Sequence, residues 1–215
     1  VDEGERRVAA HLGGGLREER RLLRAADEKR LARCDGAAEG HRKLQRQMQK
    51  HRLWDERFAA RIDAVPGDLA EERFGLAPAR FDHLARMVDT IYHCGAQVNL
   101  LHAYATLRAA NVLGTREVLR LAARFKLKHV HHISSLAVFE SPEHQGHERL
   151  FEAELPGQGD GLYGGYAQSK FMAEKLVQAA RAKGVPATIY RPGMISGHSA
   201  TGVSNTGDMV CRMIK

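Results

Sequence analysis

Alternation of short apolar strands with amphipathic helices is the feature that most restricts the fold of this chain. Four strand-like segments alternate with three helical ones, and these segments begin near residues 61, 78, 90, 104, 128, 163 and 186. Parallel strands need crossover connections of this kind, usually helices. The pattern therefore predicts an α/β fold, a Rossmann-type doubly wound parallel sheet.

The first 51 residues fit this pattern poorly. A dinucleotide-binding sheet opens with an apolar strand and a glycine-rich turn, and the helix that follows holds the pyrophosphate at its N-terminus. The only glycine cluster in this segment is Gly13–Gly15, which we interpret as a flexible turn because no clear apolar strand precedes it. We therefore expect the opening strand and its loop to be absent or scrambled. The chain divides into a charged segment, 1–51, and an incomplete Rossmann-type domain, 52–215.

Several further segments have a readable pattern. Residues 20–26, RRLLRAA, are interpreted as the second strand, and residues 27–60 carry apolar positions at the spacing of one or two weak amphipathic helices. Residues 140–162 are polar with glycine and proline, which predicts a loop. Residues 208–215, DMVCRMIK, are predicted to form a helix.

Residues 161–175, GLYGGYAQSKFMAEK, place Tyr166 and Lys170 four positions apart. On a helix this spacing puts both side chains on one face. A phenol titrates near pH ~10, and a neighbouring ammonium favours the phenolate and lowers that pKa. The pair is therefore a compact proton-transfer device. On spacing alone, a surface helix with an exposed tyrosine is the alternative.

Residues 128–139, KHVHHISSLAVF, read as a buried strand that ends in Ser134 and Ser135. Functional residues of parallel sheets collect at such carboxyl ends, and only one of two successive residues points at a given face. His129 and His131 share one face of this strand, but no carboxylate or cysteine stands at ligand spacing. We therefore expect no metal site.

In this order and spacing the chain resembles the extended short-chain dehydrogenase/reductase superfamily. In particular it looks like the thioester reductase domains of nonribosomal peptide synthetases, polyketide synthases and carboxylic acid reductases. The likeness covers roughly residues 52–215. It rests on VPGDLAEERFGL (65–76), TIYHCGAQVNLLHAY (90–104), RAANVLGTREVLRLA (108–122) and YGGYAQSK (163–170).

The resemblance implies an activity with a cofactor and a partner. NADPH reduces an acyl thioester, held on the phosphopantetheine arm of an acyl or peptidyl carrier protein, to an aldehyde or, after a second hydride, an alcohol. Another extended reductase is the main alternative, either a fatty acyl-CoA reductase or a sugar-nucleotide epimerase or dehydratase. A non-catalytic remnant of such a domain is the other.

Catalytic roles follow from the resemblance residue by residue. Ser135, which matches the family's second hydroxyl position, and Tyr166 stabilise the charge that develops on the substrate oxygen. Lys170 lowers the pKa of Tyr166 and binds the nicotinamide ribose. Asn111 helps to hold a water and Lys170 in place.

The resemblance also implies the cofactor contacts. Arg24 would reach the 2′-phosphate of NADPH, although a solvated arginine is equally compatible, and Asp68 would touch the adenine unless it only caps the next turn. Gly95 and Ala96 allow close approach of the adenosine ribose and diphosphate. The implied cofactor residues are Arg24, Asp68, Leu69, Gly95, Ala96, Tyr166, Lys170, Pro192 and Gly193.

Charge and composition bear on whether the chain binds nucleic acid, spans a membrane or carries disulfides. The net charge is +7, and residues 1–62 hold 16 Lys and Arg against 11 Asp and Glu. Acidic residues are interspersed there and aromatic platforms are almost absent, so we expect no nucleic-acid binding. No apolar run approaches the ~20 residues that span a bilayer. Three cysteines without CxxC spacing favour a reducing, cytoplasmic location.

Overall fold

A computed structural model describes residues 8–12 and 27–205 of the chain, with side chains from residue 31 onward. Four features singled out in the sequence lie outside these residues: Arg24, the glycine cluster Gly13–Gly15, the strand expected over residues 20–26, and the helix expected over residues 208–215. Nothing in the structure tests them, and they stay predictions.

The sheet confirms the predicted fold class. All strand pairs are parallel and the order is β3-β2-β1-β4-β5-β6. Because the order reverses between β1 and β4, the ligand crevice of such a sheet opens at their carboxyl ends. The strands are Val8–Leu12 (β1), Asp27–Ala32 (β2), Ile62–Pro66 (β3), Thr90–His93 (β4), His129–Ile133 (β5) and Ala187–Tyr190 (β6).

The expectation that the opening strand is absent is wrong. β1 lies in the middle of the sheet, paired with β2 on one side and β4 on the other, so the centre of the sheet is not left open. Its sequence, VAAHL, contains two alanines, and alanine is a weak strand signal. The strand ends at Leu12, directly before Gly13–Gly15 in the sequence.

The second strand that the structure describes covers Asp27–Ala32, DEKRLA. Four charged residues at its start hide it from a search for apolar runs. The strand expected over RRLLRAA, 20–26, lies outside the described residues and stays a prediction. The division of the chain at residue 51 stays a prediction, although β1 and β2 pair within the same sheet as the later strands.

Four helices connect the described strands. The stretch expected to be helical over 27–60 holds one strand, one α-helix and a short 3₁₀ turn, Glu56–Arg61. Its α-helix is Ala37–Lys50 (α1). The other helices begin within two residues of the starts predicted from the sequence. They are Pro78–Met87 (α2), α3, which runs through Tyr104–Arg108, a π-helical segment Ala109–Leu113, and Gly114–Ala123, and Gly165–Ala182 (α4).

The main core lies between the sheet and helices α2 and α3. Phe74, Phe81, Ile91, Leu121 and Val130 are among its fully buried members. A second cluster packs the start of α4 against the segment after β5. The first cluster packs α3 against the sheet, and the second packs α4 against the segment at its carboxyl edge.

Gly114 allows α3 to lie close to the backbone after β3. A Cβ on Gly114 would lie 2.7 Å from the backbone oxygen of Leu69, closer than side chains tolerate. Glycine costs about 1 kcal/mol relative to alanine inside a helix. The contact explains why glycine stands there, and it sets Leu69 against α3.

No helix in the described part of the chain is long and apolar enough to cross a membrane.

Candidate active site

Ser135 and Tyr166 meet at the carboxyl edge of the sheet. Ser135 follows β5 and caps a 3₁₀ turn, with its Oγ accepting from the Ala137 N–H at 3.2 Å. Its side chain also shares a hydrogen bond with Tyr166 on the first turn of α4. Ser134 instead is buried, and its Oγ has no hydrogen-bond partner among the described residues. The structure thus brings Ser135, not Ser134, to the tyrosine.

Lys170 lies one turn further along α4 and is 4% exposed. Its Nζ donates to the backbone oxygen of Ile133, at the end of β5, at 2.6 Å. Burial lowers the pKa of Lys170 to about 8, although the nearby Cys94 and Glu174 act to raise it. The helix therefore holds Tyr166 and Lys170 four residues apart beside the same strand, as the spacing predicts.

The expected effect of Lys170 on Tyr166 is not found. Burial raises the pKa of Tyr166, and the hydrogen bond with Ser135 offsets part of that rise. Lys170 is not among the groups that shift the pKa of this phenol, and its ammonium instead donates to the Ile133 oxygen. Tyr166 is consequently a protonated phenol at neutral pH, able to donate a proton.

Asn111 lies in the π-helical segment of α3, where the extra residue in the turn is a frequent mark of functional sites. Its amide accepts from the Gln97 N–H at 2.7 Å and donates to the Gln97 oxygen at 3.0 Å and to Ser169 Oγ at 2.9 Å. Asn111 thus joins the segment after β4 to α4, between Tyr166 and Lys170. Its expected contact with Lys170 stays a prediction.

A cavity of about 340 Å³ opens beside the ends of β2 and β3. Its walls include three of the cofactor residues expected from the sequence, Asp68, Leu69 and Ala96. The carboxylate of Asp68 caps the following turn by accepting from the Ala70 N–H at 2.9 Å, and Asp68 also lines the cavity. The full lining is Leu31, Arg33, Gly67, Asp68, Leu69, Ala96, Gln97 and Ala110.

Arg33 is the cation of this cavity, and no sequence motif singled it out. It follows the last residue of β2, is 76% exposed, and pairs with Asp68 at 2.8 and 2.9 Å. Burial alone would raise the pKa of Asp68, but the Ala70 N–H and the Arg33 guanidinium outweigh it and hold that pKa below its usual value. Placing β2 over DEKRLA would have pointed to Arg33, because the residue after this strand commonly reads the adenosine ribose.

The remaining expected residues lie along the same edge. Gly95 is the second residue after β4, next to Cys94. Pro192 and Gly193 follow β6, and the Pro192 oxygen accepts from the Leu136 N–H at 3.1 Å, beside Ser135. Gly95, Pro192 and Gly193 thus follow strands at the carboxyl edge of the sheet.

Two histidines of β5 contact hydroxyl groups of β6. His129 and His131 share a face, as expected, with ring centroids 4.5 Å apart. Their ring nitrogens face Thr188 and Tyr190 hydroxyls at 2.9 Å. Within residues 8–12 and 27–205 there is no group of three His, Cys, Asp or Glu side chains arranged for a metal ion.

Comparison with known proteins identifies the family. A family model described as Male sterility protein, NAD_binding_4, matches residues 20–215. The chain belongs to this family. It is 43% identical over 202 residues to a subunit of the linear gramicidin synthase of Brevibacillus parabrevis, a match that covers 94% of this chain and 4% of that protein. The resemblance to peptide synthetase reductase domains is confirmed.

Two further relatives of this NAD_binding_4 chain are reductases. It is 39% identical over 173 residues to the L-2-aminoadipate reductase large subunit of Penicillium chrysogenum, covering 76% of this chain and 12% of that protein. The solved terminal R domain of the myxalamid PKS-NRPS pathway superposes with a TM-score of 0.91 and 40% identity, over 100% of this chain and 55% of that one. The chain thus spans about half of a solved reductase domain and has its nicotinamide-binding fold.

Proposed function

We propose that this domain reduces an acyl thioester, carried on the phosphopantetheine arm of a carrier protein, to an aldehyde with NADPH. The observation that carries the proposal is the Ser135–Tyr166 hydrogen bond at the carboxyl edge, with Lys170 one turn along the same helix. The thioester and the carrier are inferred from the relatives, a peptide synthetase subunit and a terminal R domain of a synthetase pathway.

The residues at the edge fit a nicotinamide cofactor. The cavity beside β2 and β3 offers a cation, Arg33, and a carboxylate, Asp68, on walls that include Gly67 and Ala96. Small residues let a ligand approach the backbone closely. We infer that this cavity receives the adenosine end and that Pro192 and Gly193 face the nicotinamide end.

The chemistry of the chain's own groups follows from their positions. The bound cofactor supplies a hydride to the thioester carbon. The hydroxyls of Ser135 and Tyr166 donate hydrogen bonds to the oxygen as it gains negative charge, and Tyr166 transfers its proton to it. Lys170 binds the nicotinamide ribose. The C–S bond then breaks, which leaves an aldehyde and the free thiol of the carrier; a second hydride would give the alcohol.

The direct test uses the full-length protein with an acylated carrier domain. We expect oxidation of NADPH to accompany the appearance of an aldehyde, trapped as a hydrazone, in equal amounts. The same acyl group on coenzyme A should be reduced far more slowly. Equal rates on coenzyme A would favour an acyl-CoA reductase. If NADPH is oxidised with neither the carrier-bound substrate nor the coenzyme A substrate, the domain is a non-catalytic remnant.

NADPH rather than NADH is expected because of Arg33. A guanidinium at the end of β2 suits a 2′-phosphate, and hydrogen bonds to charged groups contribute about 1.5–3 kcal/mol. Arg33→Ala should therefore weaken NADPH binding by about that amount and leave NADH binding nearly unchanged, measured by calorimetry.

Two arginine variants control this comparison. Arg24→Ala tests the position expected from the sequence, and it should have little effect if Arg33 is the phosphate ligand. Arg124→Ala removes an exposed arginine that pairs with Asp82 on another surface, and should affect neither cofactor. If NADPH and NADH binding weaken equally in Arg33→Ala, the residue does not select the phosphate.

A further inference from the structure

A buried ion pair joins β6 to the catalytic helix. Arg191 lies directly after β6, and its Nε donates to both carboxylate oxygens of Glu174 at 3.1 Å, while its Nη2 reaches Glu174 Oε1 at 2.6 Å. Glu174 is fully buried and the Arg191 side chain is 13% exposed. Gln178 adds a further hydrogen bond to Glu174 Oε1 at 3.0 Å.

The same guanidinium holds two other parts of the site. Its Nη1 donates to the backbone oxygen of Glu152, in the loop over residues 140–162, at 3.3 Å. Its central carbon lies 5.0 Å from the centre of the Phe139 ring. Phe139 ends the 3₁₀ turn that Ser135 caps, and it packs in one cluster with Phe171 of α4.

Arg191 therefore lies where α4, the turn after Ser135 and the 140–162 loop meet. Glu174 is one helical turn after Lys170 and two turns after Tyr166. Pro192, next to Arg191, pairs with the segment that follows Ser135. A shift of Arg191 would move the helix, the turn and the loop relative to one another.

Stability alone is a weak reason for such a pair. Removing two charges from water is costly, and well-packed apolar residues in place of a buried ion pair are often neutral or stabilising. A bidentate arginine, however, fixes both distance and angle between its partners. The Arg191–Glu174 pair therefore fixes the position of α4 relative to the end of β6.

We propose that Arg191 is a positioning residue for the reduction, holding α4 in register with the carboxyl edge and anchoring the 140–162 loop at Glu152. The inference rests on the proposed reductase function. Arg191 touches neither the expected cofactor cavity nor the Ser135–Tyr166 pair, so it acts through Glu174, Phe139 and Glu152.

Glu174 offers a readout that a purely structural role would not change. Its carboxylate acts to raise the pKa of Lys170, as does Cys94 after β4, whereas burial lowers that pKa. His132 on β5 also interacts electrostatically with the Lys170 ammonium. Glu174→Gln removes the negative charge and keeps the size of the side chain. The limb of the pH–rate profile that reports Lys170 should then move to lower pH.

The main experiment compares Arg191→Lys with Arg124→Lys in the full-length protein. Arg124 forms an equivalent bidentate pair with Asp82 but contacts neither α4 nor the loop. Because small misplacements cost about 10²-fold in rate, Arg191→Lys should lower kcat by roughly 10- to 100-fold while the Kd for NADPH stays within about twofold. Arg124→Lys should leave kcat unchanged.

Hydrogen exchange separates this inference from the proposed function. Amides around Glu152 should exchange about tenfold faster in Arg191→Lys, whether or not the thioester is the substrate. The double variant Arg191→Leu/Glu174→Leu tests the alternative of simple stability, because it leaves no buried charge. A folded double variant with low kcat supports positioning. Wild-type kcat in either Arg191 variant, or unchanged exchange near Glu152, overturns it.

Discussion

Tyr166→Phe is expected to lower turnover of the full-length protein by at least ~10², with the fold intact. The substitution removes the hydroxyl that bonds Ser135 and keeps the half-buried ring. Because burial raises the pKa of Tyr166, the wild-type phenol carries its proton at neutral pH and can donate it. Steady-state kinetics measures the loss, and calorimetry should show NADPH affinity little changed.

Tyr163→Phe is the matched control for this variant. Tyr163 lies three residues earlier and is 89% exposed, so loss of its hydroxyl should leave turnover within about twofold, as surface substitutions usually do. Wild-type turnover in Tyr166→Phe would remove the tyrosine from the mechanism. An equal loss in both tyrosine variants would point to the entrance of the site and not to proton transfer.

Lys170→Met is expected to make the domain more stable and inactive. The pKa of Lys170 falls from 10.5 to about 8 on burial, and each unit corresponds to about 1.4 kcal/mol. Replacing the ammonium removes that cost but leaves the Ile133 carbonyl without its donor, which costs about 1 kcal/mol. A net gain of about 1–3 kcal/mol at pH 7 should appear in denaturant unfolding.

The gain should depend on pH in a defined direction. Below about pH 8 the lysine is protonated in both the folded and the unfolded protein, so the cost of burying the ammonium is fully present. Between about pH 8 and 10.5 the folded state loses its proton first and the cost declines. The advantage of Lys170→Met should therefore shrink over that interval.

Activity and a surface control complete this test. Lys170→Met should lose at least ~10² in turnover and should bind NADPH more weakly, because the ammonium is assigned to the ribose. Lys183→Met, at the exposed end of α4, should change neither property by much. A variant that is destabilised at pH 7 would contradict the burial cost assigned to Lys170.

The sequence by itself determined the fold class and the central pair of the site. Helical and strand periodicities reflect side-chain geometry along a single element, so they are readable from local spacing. For the same reason, Tyr166 and Lys170 share a helix and Ser135 follows a strand, as predicted. The motifs around these residues were sufficient to indicate the reductase family.

Sequence patterns missed those strands that depend on pairing with segments distant in the sequence. β1, with two alanines, and β2, with four charged residues, are strands because they pair with strands already in the sheet; their own strand signal is weak. Arg33 was missed for the same reason, since its place beside Asp68 depends on where β2 ends.

Protonation and positioning were decided only by the tertiary structure. Helical spacing predicted that Lys170 lowers the pKa of Tyr166, yet burial raises that pKa, and the ammonium donates to a carbonyl at the end of β5. Arg191 meets Glu174 across 17 residues and Glu152 across 39. Desolvation and such contacts depend on the packing of several elements together, and no spacing within one element encodes them.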